Sequence, residues 1–178
     1  MIATLALLAA LAPPPDTDRV ASVARGRAAA LGRHRLSEAQ ARRLATAILA
    51  ASEQHRLRPA LIMAIIEVES AYGAGEVSNA SCKGLMQLNP RTAPHVARDI
   101  GLRGYNLHRI EHSVALGAAY LRQLADHYGG RWDFALTAYN VGMGRFKQRG
   151  FAVNDYARRA LRKQVMLETL LQDQPFNE

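Results

Sequence analysis

The sequence predicts an all-α domain, on three observations. No stretch alternates apolar and polar β-branched residues as a half-buried strand would. Helix start and stop signals recur along the chain. One segment, residues 59–71, is apolar on nearly every face, which is the pattern of a helix at the centre of a domain.

The elements follow in order. Ser37 and Gln40 form a capping-box pair that opens a helix over 37–55. Pro59 suits the first turn of the next helix, 59–71. Residues 73–83 are small, polar and glycine-containing, so they read as a loop. A helix over 110–128 ends at Gly129-Gly130. Another over 132–140 stops at Gly142, and the last covers 154–172.

Ahead of these lies an uncharged apolar run, residues 2–12, ending in Ala10-Leu11-Ala12 and followed by three prolines. It is too short to span a bilayer and has the length of a signal-peptide core. The expected organisation is therefore a signal peptide at 1–12, a basic leader at 13–36, the domain at 37–170 and a tail at 171–178. Export would place the protein in the periplasm or cell envelope.

The 178 residues suit one domain, and 49% apolar with 21% charged is a globular profile. The net charge is +8 and is clustered. Residues 19–58 hold nine arginines against Glu38 and Glu53, and residues 145–163 hold five arginines and two lysines against Asp155. Such patches attract polyanions or are simply solvated helix faces. The one cysteine, Cys82, excludes an intramolecular disulfide.

Two acids lie on the central apolar helix, Glu67 and Glu69. Glu69 shares a face with Ile62, Ile65 and Ile66 and falls in the last turn, where the helix dipole disfavours negative charge. Desolvation and dipole together favour its protonated form. A carboxylic acid still protonated near neutrality is what glycoside cleavage requires to protonate a leaving oxygen.

Glu69 opens the segment Glu69-Ser70-Ala71-Tyr72. Fifteen residues on comes Gly84-Leu85-Met86-Gln87, followed by Asn89-Pro90 and Thr92-Ala93. Then come Gly117 with Tyr120-Leu121, the run Ala135 to Gly144 containing Ala138-Tyr139-Asn140, and Tyr156 in Asp155-Tyr-Ala-Arg-Arg. In this order the motifs resemble those of the lytic transglycosylase family with the goose-type-lysozyme-like fold, over residues 50–165. The chain departs from the family pattern at Gly73-Ala74, Ser81-Cys82, Ser113 and Met143, where Asn-Pro, Gly-Ala, Asn and Pro are usual.

The resemblance implies a lysozyme-like helical domain with a glycan-binding cleft. Glu69 would be the single general acid/base. Ser70 would orient Glu69 or the substrate's acetamido group. Met86 and Gln87 would line the cleft, Tyr139 would contact Glu69 or substrate, Asn140 would hold the same wall, and Tyr156 would close the site from the far side. No metal and no cofactor is implied. The implied reaction cleaves the MurNAc-GlcNAc β-1,4 bond of peptidoglycan with formation of 1,6-anhydro-muramic acid ends. The implied partners are peptidoglycan glycan strands and a trans-envelope secretion or conjugation machinery, with no nucleic acid and a monomeric chain. A hydrolytic muramidase, or a weakly active glycan-binding component of such an apparatus, stands as the alternative.

Two other readings compete. His108-Arg-Ile-Glu111-His112 fits a zinc-peptidase pattern with Glu168 as third ligand, provided both histidines lie on one helix. The basic faces alone would also suit a helical nucleic-acid-binding protein, although no such module is apparent.

Overall fold

The computed structural model describes residues 15–78 and 81–172. The apolar run at 2–12, expected as an export signal, lies outside them. Eight helices are present among the described residues: α1 Thr17–Leu31, α2 Glu38–His55, α3 Pro59–Ser70, α4 Ala93–Asp99, α5 Ile110–His127, α6 Trp132–Val141, α7 Met143–Gln148 and α8 Asp155–Gln172. No strand is formed there, only two isolated bridges, Val77 with Lys83 and Lys83 with Leu88. The all-α expectation holds.

The end signals act as the sequence predicts. The Gln40 amide N–H donates to Ser37 Oγ at 3.2 Å, and the Ser37 N–H donates to Gln40 Oε1 at 2.9 Å, completing the capping box. Gly129 and Gly130 adopt positive φ and end α5, with the Gly130 N–H donating to the Ala125 carbonyl at 2.8 Å. Three helices were not foreseen. Helix α1 folds where the sequence suggested a leader of uncertain order; Asp16 caps it by accepting from the Arg19 N–H at 2.7 Å, and Gly32 ends it at φ 69. Its inward face is Val20, Ala21, Ala24 and Ala28, all buried. Helices α4 and α7 are short and lie in segments where no element was expected.

Helix α3 is the hub. It packs against α8 and α2 and touches α1, while α2 also packs on α5, and α6 bridges α5 to α8. Ile62, Met63, Ile65 and Ile66 on α3 are completely buried. At roughly 1.5–3 kcal/mol per fully buried large aliphatic side chain, this helix contributes much of the hydrophobic stabilisation. A second, smaller cluster under α4 gathers Leu88, Val96, Leu107 and Leu116.

Glu67 is the polar exception inside this core. Its carboxylate has no side-chain exposure and receives Arg27 of α1 twice, Nε at 3.0 Å and Nη2 at 2.7 Å, and Lys163 of α8 besides. Burial alone pushes this carboxyl up, but the Arg27 and Lys163 hydrogen bonds outweigh it and hold it below the ordinary carboxylate range. One acid on the central helix thus ties together three helices.

Candidate active site

Helix α3 stops just after Glu69. Ala71 takes φ 48 and Tyr72 φ 71, two left-handed residues in succession that turn the chain away. The acid is therefore left in the final turn, beside a cleft of about 480 Å³. Glu69, Gln87, Tyr120, Tyr139 and Asn140 all line that cleft. Among the described lining residues Glu69 is the one carboxylic acid and Arg145 the one strong cation. A larger hollow of about 780 Å³ lies between α1 and α2, but it holds none of the predicted site residues.

The Tyr156 hydroxyl donates to Glu69 Oε1 at 2.7 Å. Burial raises the Glu69 carboxyl to about 7, against the opposing pull of that hydrogen bond and of the Arg159 charge. Glu69 thus carries its proton into the neutral range, as the apolar helix face predicts. Burial, reinforced by the neighbouring Glu69, raises the Tyr139 and Tyr156 phenols well above the usual range, so both remain hydrogen-bond donors.

The structure gathers Glu69, Gln87, Tyr139 and Asn140 at one cleft, with Tyr156 bound to the acid. It treats the other two predicted residues differently. Met86 is completely buried, so its side chain packs beneath the cleft rather than lining it. It lies against Gly117, where an added Cβ would approach the Met86 Cβ and Sδ to 2.6 Å. Its backbone serves the site, because the Met86 carbonyl accepts from the Tyr139 hydroxyl at 2.8 Å. Tyr139 therefore bonds the Met86 backbone, not Glu69. Ser70 is also buried; its hydroxyl lies 2.8 Å from the Leu85 carbonyl and 3.1 Å from that of Ile66, fastening the 84–87 loop to α3.

The loop is held in detail. Gly84 at φ 78 approaches the Leu107 carbonyl so closely that a Cβ would come to 1.9 Å, so no other residue fits. Gln87, itself at φ 47, donates from Nε2 to the Gly84 carbonyl at 2.9 Å and the Glu76 carbonyl at 3.0 Å. The Met86 N–H donates to Ser113 Oγ at 3.2 Å.

Ser113, a departure from the family pattern, is a fully buried anchor of the site loop. Asn154 was missed altogether. Its Oδ1 caps α8 by accepting from the Ala157 N–H, and its Nδ2 donates to Asn140 Oδ1 at 3.0 Å, joining the cleft wall to the helix that carries Tyr156. An Asn just before a helix is an N-cap signal that would have found it.

The zinc pattern does not assemble. His108 precedes α5, so the two histidines do not share a helix face. His112 Nδ1 accepts from the Asn106 N–H, Glu111 is paired with Arg43, and Glu168 is paired with Arg58 at 2.8 Å.

Comparisons with known proteins converge on one family. The soluble lytic murein transglycosylase of Escherichia coli K12 is 34% identical over 89 residues, covering 48% of this chain and 14% of that protein. The membrane-bound lytic murein transglycosylase C of Actinobacillus pleuropneumoniae is 33% identical over 122 residues, 60% of this chain and 33% of the relative. This chain thus spans a third or less of those relatives. The lytic transglycosylase Slt of Pseudomonas aeruginosa, solved as an inactive glutamate-to-glutamine mutant, superposes with a TM-score of 0.55 at 26% identity, over 71% of this chain and 22% of that one. The 70-kDa soluble lytic transglycosylase of E. coli has the same fold, with a TM-score of 0.55 at 24% identity over 71% of this chain and 22% of that one. Residues 46–161, well over half of the sequence and including every predicted site residue, match the family described as the transglycosylase SLT domain, and the chain belongs to that family.

Proposed function

We propose that this chain is a lytic transglycosylase acting on peptidoglycan glycan strands in the periplasm or cell envelope, as a monomer, with Glu69 as its single general acid/base. The observation that carries the reading is one carboxyl, protonated to about neutrality, at a cleft whose described lining offers no second acid. Most glycosidases use two carboxylates. With one, the substrate has to supply the nucleophile.

Glu69 protonates the oxygen of the MurNAc-GlcNAc β-1,4 bond as that bond breaks. The sugar's own N-acetyl group stabilises the cationic carbon. The Glu69 carboxylate then takes the proton of the same sugar's 6-hydroxyl, whose oxygen closes on the anomeric carbon. The acid is regenerated, no water is consumed, and the product ends in 1,6-anhydro-muramic acid. An attacker already held on the reacting sugar gains an effective molarity of up to about 10⁵ M or more over a free one. Tyr156 orients the carboxyl, and the Tyr139 and Gln87 hydrogen bonds fix the opposite wall.

Clearance of purified sacculi tests the reading. Glu69→Gln keeps the Tyr156 acceptor but cannot donate the proton, so its rate should fall at least about 10²-fold. Turnover near the wild-type rate removes Glu69 from the chemistry.

A further inference from the structure

Helix α7 begins at the cleft. Its buried Phe146 sits within an aromatic cluster with Tyr128, Phe134 and Phe151, at ring separations of 5.5, 5.2 and 5.3 Å. That packing fixes the short helix and presents the residue before it, Arg145, at the cleft. The Arg145 side chain is exposed and makes no hydrogen bond or ion pair among the described residues, although nearly every acid near the other arginines is taken. The one acid of the described cleft lining, Glu69, is held by Tyr156. A positive fork therefore lines the cleft with no ion-pair partner among the described residues.

We propose that Arg145 is a specificity-determining residue that binds a carboxylate on the branch carried by the glycan's muramic residue. The assignment rests on the glycan-cleaving function proposed above. A guanidinium matches a carboxylate with two parallel hydrogen bonds, and a neutral amino-sugar polymer has no carboxylate to offer. Two sources carry the same chemistry: the lactyl carboxylate of the muramic sugar itself, free where the peptide has been removed, and the acidic residues of an attached peptide stem.

Three ligands separate them: glycan strands with stems, strands stripped by an amidase, and neutral N-acetylglucosamine oligomers. Arg145→Gln is compared with wild type and with Arg103→Gln, which removes the same charge at an exposed position outside the cleft lining and the α7–α8 side. Since Arg145 is exposed, the variant should melt with the wild type.

For Arg145→Gln, KM should rise about five- to tenfold on the recognised glycan, the scale of a partly exposed charge-assisted pair, with kcat nearly unchanged. The affinity for the neutral oligomers should stay the same. A rise confined to stem-bearing strands assigns the carboxylate to the peptide, a rise confined to the stripped strands assigns it to the free lactyl group, and a rise on both shows that either carboxylate is bound. Equal losses on all three ligands, no loss, or a loss matched by Arg103→Gln would overturn the assignment. Wild-type protein that turns over no glycan at all refutes the proposed function instead.

Discussion

Glu67 and Glu69 stand two residues apart on one helix and behave oppositely because of what faces them. Glu67 meets Arg27 and Lys163 and is held ionised; Glu69 meets apolar side chains and one phenol and is held protonated to about 7. Removing the Glu67 charge strands two partly buried cations, so Glu67→Gln should cost about 2–4 kcal/mol, near the lower end for a broken buried pair. For Glu69 the folded value lies above the unfolded one, so the folded state binds the extra proton, and stability falls as pH rises from about 4.5 to about 7. Glu69→Gln abolishes that slope. The variant should melt together with the wild type near pH 4.5 and above it near pH 7.5; parallel curves at both pH values would refute the raised value. Tyr156→Phe removes a hydrogen bond that favours the carboxylate, so the alkaline limb of the activity profile should move to higher pH.

The Glu69 proton was legible from the sequence because its cause is local: isoleucines one and two turns away on the same face. The fate of Glu67 was not, since its partners lie 40 and 96 residues distant.

Among elements, the tightest fit is between the 84–87 loop and α5. Gly117→Ala would drive a methyl group into Met86, so it should cost about 1–3 kcal/mol and displace Gln87 and the Tyr139 acceptor with it. Thermal melting and turnover of that variant should fall together; a stable, fully active Gly117→Ala would show that the contact yields without consequence. Five helices were legible from caps, glycine stops and apolar faces. Helix α1 escaped because its buried stripe is small, Ala21, Ala24 and Ala28 with Val20, and three arginines and a glycine interrupt the apolar pattern. The signals were nonetheless present in Asp16, Gly32 and the three- and four-residue spacing of those alanines. Helices α4 and α7 are too short for periodicity to reveal. The burial of Ser70 and Met86 was not legible either, because a motif specifies which residues recur and not whether side chain or backbone does the work.

At the scale of the molecule, the two basic stretches separate. In the first, Arg27, Arg42, Arg43 and Arg58 are matched to acids. In the second, Arg145, Lys147, Arg149, Arg159 and Arg162 make no ion pair among the described residues, so the α7–α8 side is a net positive face. Binding to sacculi through that face should weaken as salt rises, because exposed charges are screened over about 8–10 Å at physiological ionic strength. Salt-independent pelleting would point to contacts of another kind. The central claim, however, is that one acid suffices because the substrate attacks itself, and the ends of the released glycan test it most directly. Mass spectrometry of fragments from digested sacculi should find ends lighter by one water and inert to borohydride, as 1,6-anhydro-muramic acid is. Ends that are heavier by that water and reducible would contradict it: water would then be the nucleophile and the enzyme a muramidase.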